Sequence, residues 1–187
     1  TSNTVEDNRV SGAIRVLAGG DISVTGNTAA RSPVTGIAVS GRPATSVTVQ
    51  DNDVLTTGAD AVLVTDSAMV TVHQNTIDSA VENGVRLERV GDLSVTENVI
   101  TSVGDTGVLA VVEGDVVMQE NGVGGAGITG ISVTASDGAM ALDCSGNIVQ
   151  SSLGAHGIFV QGALSGRVEN NQVSASGQTG LILRQCS

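Results

Sequence analysis

An asparagine recurs at a nearly constant spacing along the chain, and this periodicity constrains the fold more than any other feature. Six of the eight copies lie in the frame apolar-x-apolar-x-x-Asn-x-apolar, and Asn8 and Asn171 match it except at its first apolar position. The gaps range from 19 to 26 residues. A spacing in this range is typical of solenoids, in which each repeat buries its apolar face by stacking on its neighbours. The sequence therefore predicts one domain over residues 1–187, built from about eight coils of about 23 residues. The eight asparagines are Asn8, Asn27, Asn52, Asn75, Asn98, Asn121, Asn147 and Asn171.

A second motif, a glycine followed by alternating apolar residues, occupies the other half of each repeat. Its copies begin at Gly36, Gly84, Gly107, Gly130, Gly157 and Gly180, and Ala61 replaces the glycine once. Alternation with period two places the apolar residues on one face of a strand. We therefore expect one continuous core, made of Val47, Val49, Val70, Val72, Val85, Leu87, Leu93, Val95, Val108, Ile131, Val133, Ile158, Val160, Val168 and Leu181.

Composition separates two kinds of solenoid that share the Asn frame. The chain has 30 valines, 11 leucines and a single aromatic residue, Phe159. A leucine-rich-repeat-like solenoid is the alternative fold, but it needs mostly leucine and a helical or extended segment on its convex side. Here the second half of each repeat is another alternating strand rich in β-branched residues, which suit a pleated sheet. The all-β parallel β-helix is therefore favoured.

The Asn frame and the Gly-led strand together resemble the repeats of right-handed parallel β-helices of the pectate-lyase-like superfamily. The resemblance covers nearly all of residues 3–185. It implies three parallel sheets, with a ladder of stacked asparagines at the turn between two of them. We expect Asn75, Asn98 and Asn121 to adopt left-handed or similar turn conformations, which Asn tolerates. The resemblance also implies an extracellular or cell-surface protein.

The charge of the chain restricts its partners. There are 19 acidic residues and 8 arginines but no lysine, which gives a formal net charge of −11. Such a chain is repelled by phosphate backbones and anionic lipids, so we expect no nucleic-acid partner. No apolar run is long enough to span a bilayer, so membrane insertion is not expected either. Because the chain lacks an initial Met and opens within a repeat, we expect a fragment or processed part of a longer protein. Cys144 and Cys186 are not spaced as a metal site or redox pair, and we expect free thiols.

The resemblance places the catalytic surface of related enzymes on the outer face of the Gly-led sheet. In this chain that face carries Leu63, Leu109, Phe159 and Ile182. Outward apolar side chains of this size indicate a covered surface, and the cover is a loop, another part of the parent chain, or a partner, including a second copy. We predict that these four residues form an interface.

One short segment of the sequence resembles a catalytic motif. Ala155-His156-Gly157-Ile158 resembles the Gly-His-Gly-Ile segment of polygalacturonases, which also need acidic residues on the two preceding coils. Those positions are Thr129 and Thr106, so no catalytic residue is assigned. If the chain is an enzyme, the resemblance implies a polysaccharide lyase or glycoside hydrolase.

The best candidate binding site is a column of polar residues in the loops that enter the Gly-led sheet. The repeat spacing stacks Asp60 on Asn83 and Glu82 on Asp105, with Arg86 nearby. Oxygen ligands about 5 Å apart suit Ca²⁺, and the same groups suit a saccharide. Solvated turn residues are the alternative interpretation.

Three functions are consistent with these observations. The leading hypothesis is a non-catalytic structural or binding domain, a rigid scaffold or interaction module. The second is a carbohydrate-active or carbohydrate-binding protein that acts on an acidic polysaccharide. The third is a rod that self-assembles end to end or side to side, because unpaired strand edges invite further pairing.

Overall fold

The structure, a computed structural model, describes residues 3–6, 9–11, 13–136 and 140–186, with side chains from residue 13 onward. All of its regular elements are β-strands, and no helix occurs in these ranges. Every strand pair is parallel, and successive turns form a right-handed β-helix. The leucine-rich-repeat alternative is therefore wrong, because the second half of each repeat is a strand.

Each coil contributes one strand to each of three parallel ladders of eight strands, which we name sheets A, B and C in chain order. Sheet A, before the Asn turn, contains β1 (Asn3–Glu6), β4 (Ile22–Thr25), β7 (Ser46–Gln50), β14 (Val116–Gln119), β17 (Met140–Ser145) and β20 (Ala163–Glu169). Sheet B, after that turn, contains β2 (Arg9–Ser11), β5 (Thr28–Ser32), β8 (Asp53–Thr57), β10 (Thr76–Ala80), β12 (Val99–Val103), β15 (Gly122–Ala126), β18 (Ile148–Gln150) and β21 (Gln172–Ser174). Sheet C, the Gly-led sheet, contains β3 (Ile14–Leu17), β6 (Ile37–Ser40), β13 (Thr106–Val112), β16 (Thr129–Ala135), β19 (His156–Gln161) and β22 (Thr179–Arg184).

Two strands join sheet C to sheet A without a break. These are β9 (Val62–His73) and β11 (Val85–Thr96), which pair with each other along both sheets. Each bends where one residue has a positive φ, Asp66 at 58° and Arg89 at 51°. The predicted three sheets are therefore present, with two of them hydrogen-bonded into one surface in the middle of the rod.

The predicted core is confirmed except at its last coil. Val47, Val70 and Leu93 are register partners in successive strands of sheet A and are all buried. The prediction is wrong for Val168, which is half-buried, and for Leu181, which is 43% exposed. Both belong to the last described coil, and each of their strands pairs with one neighbouring strand in the described residues.

The Asn ladder is confirmed, but the left-handed conformation lies one residue before each asparagine and not on the asparagine itself. The backbone N–H and the Nδ2 of Asn75 both donate to Oδ1 of Asn98 on the next coil, at 3.0 and 2.9 Å, and Asn98 repeats the pattern toward Asn121. Nδ2 of Asn98 also donates to the Val72 carbonyl of the preceding coil, at 2.9 Å. The left-handed residue is the one before each asparagine, for example Gln74 at 53° and Glu97 at 56°. Asn8 lies outside the described residues.

The glycines that open sheet C are required by packing. A Cβ on Gly107 would lie 2.3 Å from Cγ1 of Val123 and 2.5 Å from the carbonyl oxygen of Gly130. A Cβ on Gly84 would lie 2.5 Å from Cγ2 of Ile100. The glycine column therefore leaves room at the start of each sheet C strand. A sheet B side chain of the next coil packs into that space.

Both cysteines are free thiols, as predicted: Cys144 is buried and Cys186 is exposed.

Candidate functional site

The outward residues of sheet C form one column in register across all eight coils, as the repeat spacing predicts. Strand pairing aligns Arg86 with Leu63 on one side and with Leu109 on the other, and Phe159 with Ile182. Leu63, Leu109, Phe159 and Ile182 are half-buried, because the neighbours in the column flank them. The complete column is Arg15, Ala38, Leu63, Arg86, Leu109, Ser132, Phe159 and Ile182.

The predicted stack of Asp60 on Asn83 exists, but it is buried. Oδ1 of Asp60 accepts hydrogen bonds from the backbone N–H and the Nδ2 of Asn83, at 3.2 and 2.8 Å. Oδ1 of Asn83 in turn accepts from the backbone N–H of Thr106 at 3.2 Å. Asp60 is only 3% exposed. These side chains therefore form a second, shorter polar ladder at the entrance to sheet C.

Arg86 gathers the acidic groups beside this ladder. Its Nε and Nη2 donate to Oε1 of Glu88 at 2.9 and 2.6 Å, and its Nη1 lies 3.7 Å from Oδ2 of Asp60. The hydrogen bonds to Glu88, and then the charges of Glu88, Asp60 and Glu82, raise the pKa of Arg86. The guanidinium is therefore a fixed cation that occupies the space between two carboxylates.

Glu82 and Asp105 stack through their backbones, with the Asp105 N–H donating to the Glu82 carbonyl at 2.9 Å. Both residues are half-buried. In the described part of the chain, neither carboxylate makes a side-chain hydrogen bond or an ion pair within 4 Å. Of the predicted binding residues, these two keep the most freedom to contact a ligand.

His156, which belongs to the segment compared with polygalacturonases, is the first residue of β19. It lies beside Phe159, the one phenylalanine of the chain, which has no Tyr or Trp. The rings of His156 and Phe159 are stacked, with centroids 5.9 Å apart and planes at 17°. The Arg184 guanidinium lies 5.9 Å from the Phe159 centroid, a cation–π distance. This aromatic cluster of His156, Phe159 and Arg184 marks the last two coils of sheet C. The spacing of 25 residues between Phe159 and Arg184, one coil plus two, could have indicated it.

Polar atoms near the aromatic cluster lack partners. The Nδ1 of His156 and the hydroxyls of Ser152 and Ser176 are enclosed, and none has a hydrogen bond in the described structure. At the same corner of earlier coils, Ser32 and Thr57 donate to nearby carbonyls at 2.9 and 3.0 Å. Unsatisfied buried groups are rare in proteins, so this corner of the last coils differs from the rest of the rod.

Two further ion pairs connect adjacent coils and were missed from the sequence. Arg89 binds Asp66 through two contacts of 2.6 and 3.0 Å, and Arg167 binds Asp143 at 2.7 Å. These hydrogen bonds hold the pKa of Asp66 and of Asp143 below the usual value of 3.8. The partners are 23 and 24 residues apart, so the repeat spacing could have identified both.

A further acidic pair, Asp92 and Asp115, lies in the next bend and is also structural. Oδ1 of Asp92 accepts from the backbone N–H of Asp115 at 3.0 Å, and Oδ1 of Asp115 accepts from that of Ala141 at 2.9 Å. His73 is half-buried on sheet A and shares a 2.8 Å hydrogen bond with the Thr96 hydroxyl of the next coil.

Comparison with known proteins gives one family. The family model described as periplasmic copper-binding protein (NosD) matches residues 1–139. No curated protein and no solved structure gives a significant match. The described chain also has no helix of the length and apolarity that crossing a membrane requires.

Proposed function

The chain belongs to the NosD family, whose model covers residues 1–139 of its 187, and on that premise we propose a non-catalytic scaffold or binding module. The family is described as periplasmic, in agreement with the extracellular or cell-surface location predicted from the sequence. Membership of the pectate-lyase-like superfamily is the finer assignment within this proposal, and the Asn ladder and the Gly-led sheet support it.

The observation that supports the non-catalytic role is the state of the carboxylates on sheet C. Cleavage of a glycosidic bond needs an acid and a base that are both free to exchange protons with substrate. Oδ1 of Asp60 is occupied by Asn83, while Arg86 lies against Oδ2 of Asp60 and holds Glu88. The neighbouring outward positions are Leu63 and Leu109. This surface suits contact with another protein better than it suits proton transfer.

An activity screen on acidic polysaccharides, read by product absorbance and by reducing ends, tests this role. We expect no turnover by the wild type. Turnover that disappears in Asp105→Ala, with an unchanged melting temperature, would overturn the proposal and make the acidic column an active site.

We assign the interface to the outward column of sheet C, with a second copy of the chain as its occupant. A mass above 18.6 kDa by light scattering is expected for the wild type. Leu109→Asp should reduce it to that of a monomer with the fold intact. Ser94→Asp is the matched control, because it adds a charge at an outward, half-buried position of sheet A, away from the column. A monomeric wild type, or an equal effect of the two variants, would contradict the assignment.

Saccharide binding is the second candidate, and the aromatic cluster favours it. Phe159 offers a flat apolar face, and Arg184 supplies a cation that has no acidic partner in the described structure. An acidic sugar matches both groups. Titration of an oligouronate, compared between wild type and Phe159→Ala, separates this candidate from a purely structural role of the ring.

Calcium at Asp60, Glu82 and Asp105 remains a prediction. Arg86 opposes a cation beside Asp60, so the more favourable position is between Glu82 and Asp105. A calcium titration followed by the melting temperature tests it, because a ligand that binds only the folded state raises the stability.

A further inference from the structure

The description of the family names copper, and we infer that this β-helix holds no copper site built from its own sulfur and imidazole groups. The inference rests on where those groups lie. Copper(I) in proteins prefers thiolate and thioether ligands, and imidazole is a common ligand of both copper states. The two histidines, two cysteines and three methionines of the chain all lie in the described ranges. Their placement can therefore be compared directly with what copper needs.

A metal–ligand bond of about 2.0–2.3 Å requires the donor atoms of one site to lie within roughly 4–5 Å of each other. His73 and His156 lie in different sheets and are separated by between three and four coils, which is roughly 14–19 Å along the axis. Met69 is on the same face as His73 but four residues away, roughly 13 Å along the strand. In the described structure no three His, Cys, Asp or Glu side chains are grouped in a way that could hold a metal.

One pair of sulfur residues does lie in adjacent strands. Met118 in β14 and Cys144 in β17 are register partners in sheet A, and both point into the core. Both are 0% exposed, so neither sulfur contacts solvent. The Nδ2 of Asn147 lies 3.5 Å from the Cys144 sulfur, within the Asn ladder.

The Cys144 thiol is also in the wrong protonation state for a metal ligand. Burial raises its pKa to about 12, and the negative charge of Asp143 adds to the shift. The thiolate is the form that binds metals, and it is scarce at neutral pH when the pKa is this high. Met118 and Cys144 therefore pack the interior as apolar groups, which is the usual role of buried sulfur.

Copper(I) held by a chromophoric chelator tests the inference. The protein is used folded and reduced, in the Cys186→Ser background, because Cys186 carries the only exposed thiol. We expect the chelator to keep its copper and the melting temperature to stay unchanged when copper(I) is added. Copper withdrawn by the wild type but not by Cys186→Ser, with no rise in melting temperature, identifies a lone exposed thiol as an adventitious ligand. A rise in melting temperature that needs Cys186 would mean that this thiol belongs to a site of the folded protein, and it would overturn the inference.

Two results would overturn it. One is withdrawal of one copper equivalent by folded Cys186→Ser protein that disappears on Met118→Leu, which would show that the core pair is a site. Met118→Leu preserves the volume of the core, and its melting temperature without copper verifies the fold. The other is withdrawal that survives both Met118→Leu and Cys144→Ala, which would reveal a site that the folded geometry does not bring together.

Discussion

The central coils and the last two coils contain the same repeat, yet their interiors differ. In the central coils Val85 and Leu87 of sheet C are completely buried, and Asn98 makes all of its ladder hydrogen bonds. In the last coil Leu181 and Leu183, their counterparts, are 43% and 50% exposed. A single coil therefore does not bury its own apolar face, and much of the stabilisation comes from the contacts between neighbouring coils. Matched substitutions in the two regions measure how much stability comes from contacts between coils.

The largest difference is expected for a charge placed in the core. Val72→Asp puts an unpaired carboxylate at a completely buried position, and we expect a loss on the order of 5 kcal/mol or failure to fold. Leu183→Asp makes a related change at a half-exposed position, and we expect a loss of at most about 1 kcal/mol because water can solvate the charge. Urea unfolding monitored by circular dichroism provides both values, and equal losses would contradict a core that depends on stacking.

The next largest difference is expected in the Asn ladder. Asn98→Ala removes the side-chain acceptor of the Asn75 N–H and a side-chain donor to the Val72 carbonyl in a buried site, and we expect a loss on the order of 1–3 kcal/mol. Asn171→Ala should cost less, since Asn171 is half-buried and water can replace its side chain. Melting temperatures of the two variants test this, and an unchanged melt of Asn98→Ala would mean that the ladder adds no stability.

A smaller contrast is expected for the glycine column. Gly84→Ala brings Cβ to 2.5 Å from Ile100 and 2.6 Å from the Gly107 carbonyl, and overpacking of this kind costs roughly 1–3 kcal/mol. Gly180→Ala meets nothing closer than 3.6 Å, so we expect it to be neutral or slightly stabilising. If thermal melts show the same loss for both, steric crowding is not the reason for glycine in this column.

The smallest effects are expected for the exposed ion pairs. Their loss should cost a similar amount of stability in the central coils and in the last coils. The folded-state pKa of Asp66 and of Asp143 is lowered below 3.8, so each pair stabilises fully above that value and loses its contribution as the pH falls through the lower, folded-state value. Arg89→Gln in the middle and Arg167→Gln at the end should each lower stability slightly at pH 7 and have a smaller effect near pH 2. Unfolding curves at the two pH values test the sign, and a larger loss at pH 2 would contradict it.

The coil arrangement could be predicted because it depends on spacing alone. A repeat near 23 residues aligns Arg86 with Leu109 whatever their rotamers, so the outward column was correct in every coil. Which residue of the Asn turn adopts the left-handed conformation could not be predicted from the backbone preferences of the residue types. Asn tolerates that conformation, but its amide must reach the coils on both sides, so the unusual φ falls on the residue before it, such as Glu97.

The candidate site was less predictable because its contacts depend on side-chain conformations. The spacing placed Asp60, Asn83 and Arg86 near one another, but it did not show that Asn83 and Arg86 occupy both oxygens of Asp60. The aromatic cluster was missed because His156 was compared with an enzyme motif instead of with its neighbours in the stack. The ion pair of Asp66 and Arg89 was within reach, since 23 residues is the repeat itself.

The Asn ladder gives the rod a direction. From Asn52 to Asn147 each asparagine of the ladder donates to the Oδ1 of the coil that follows and to a backbone carbonyl of the coil that precedes, so these coils present the same pair of faces. A repeat gained by duplication or lost by deletion therefore meets surfaces it already fits, and the rod changes length in steps of about 4.8 Å. Evolution can thus adjust the distance between the groups that such a rod carries without redesigning any contact within it.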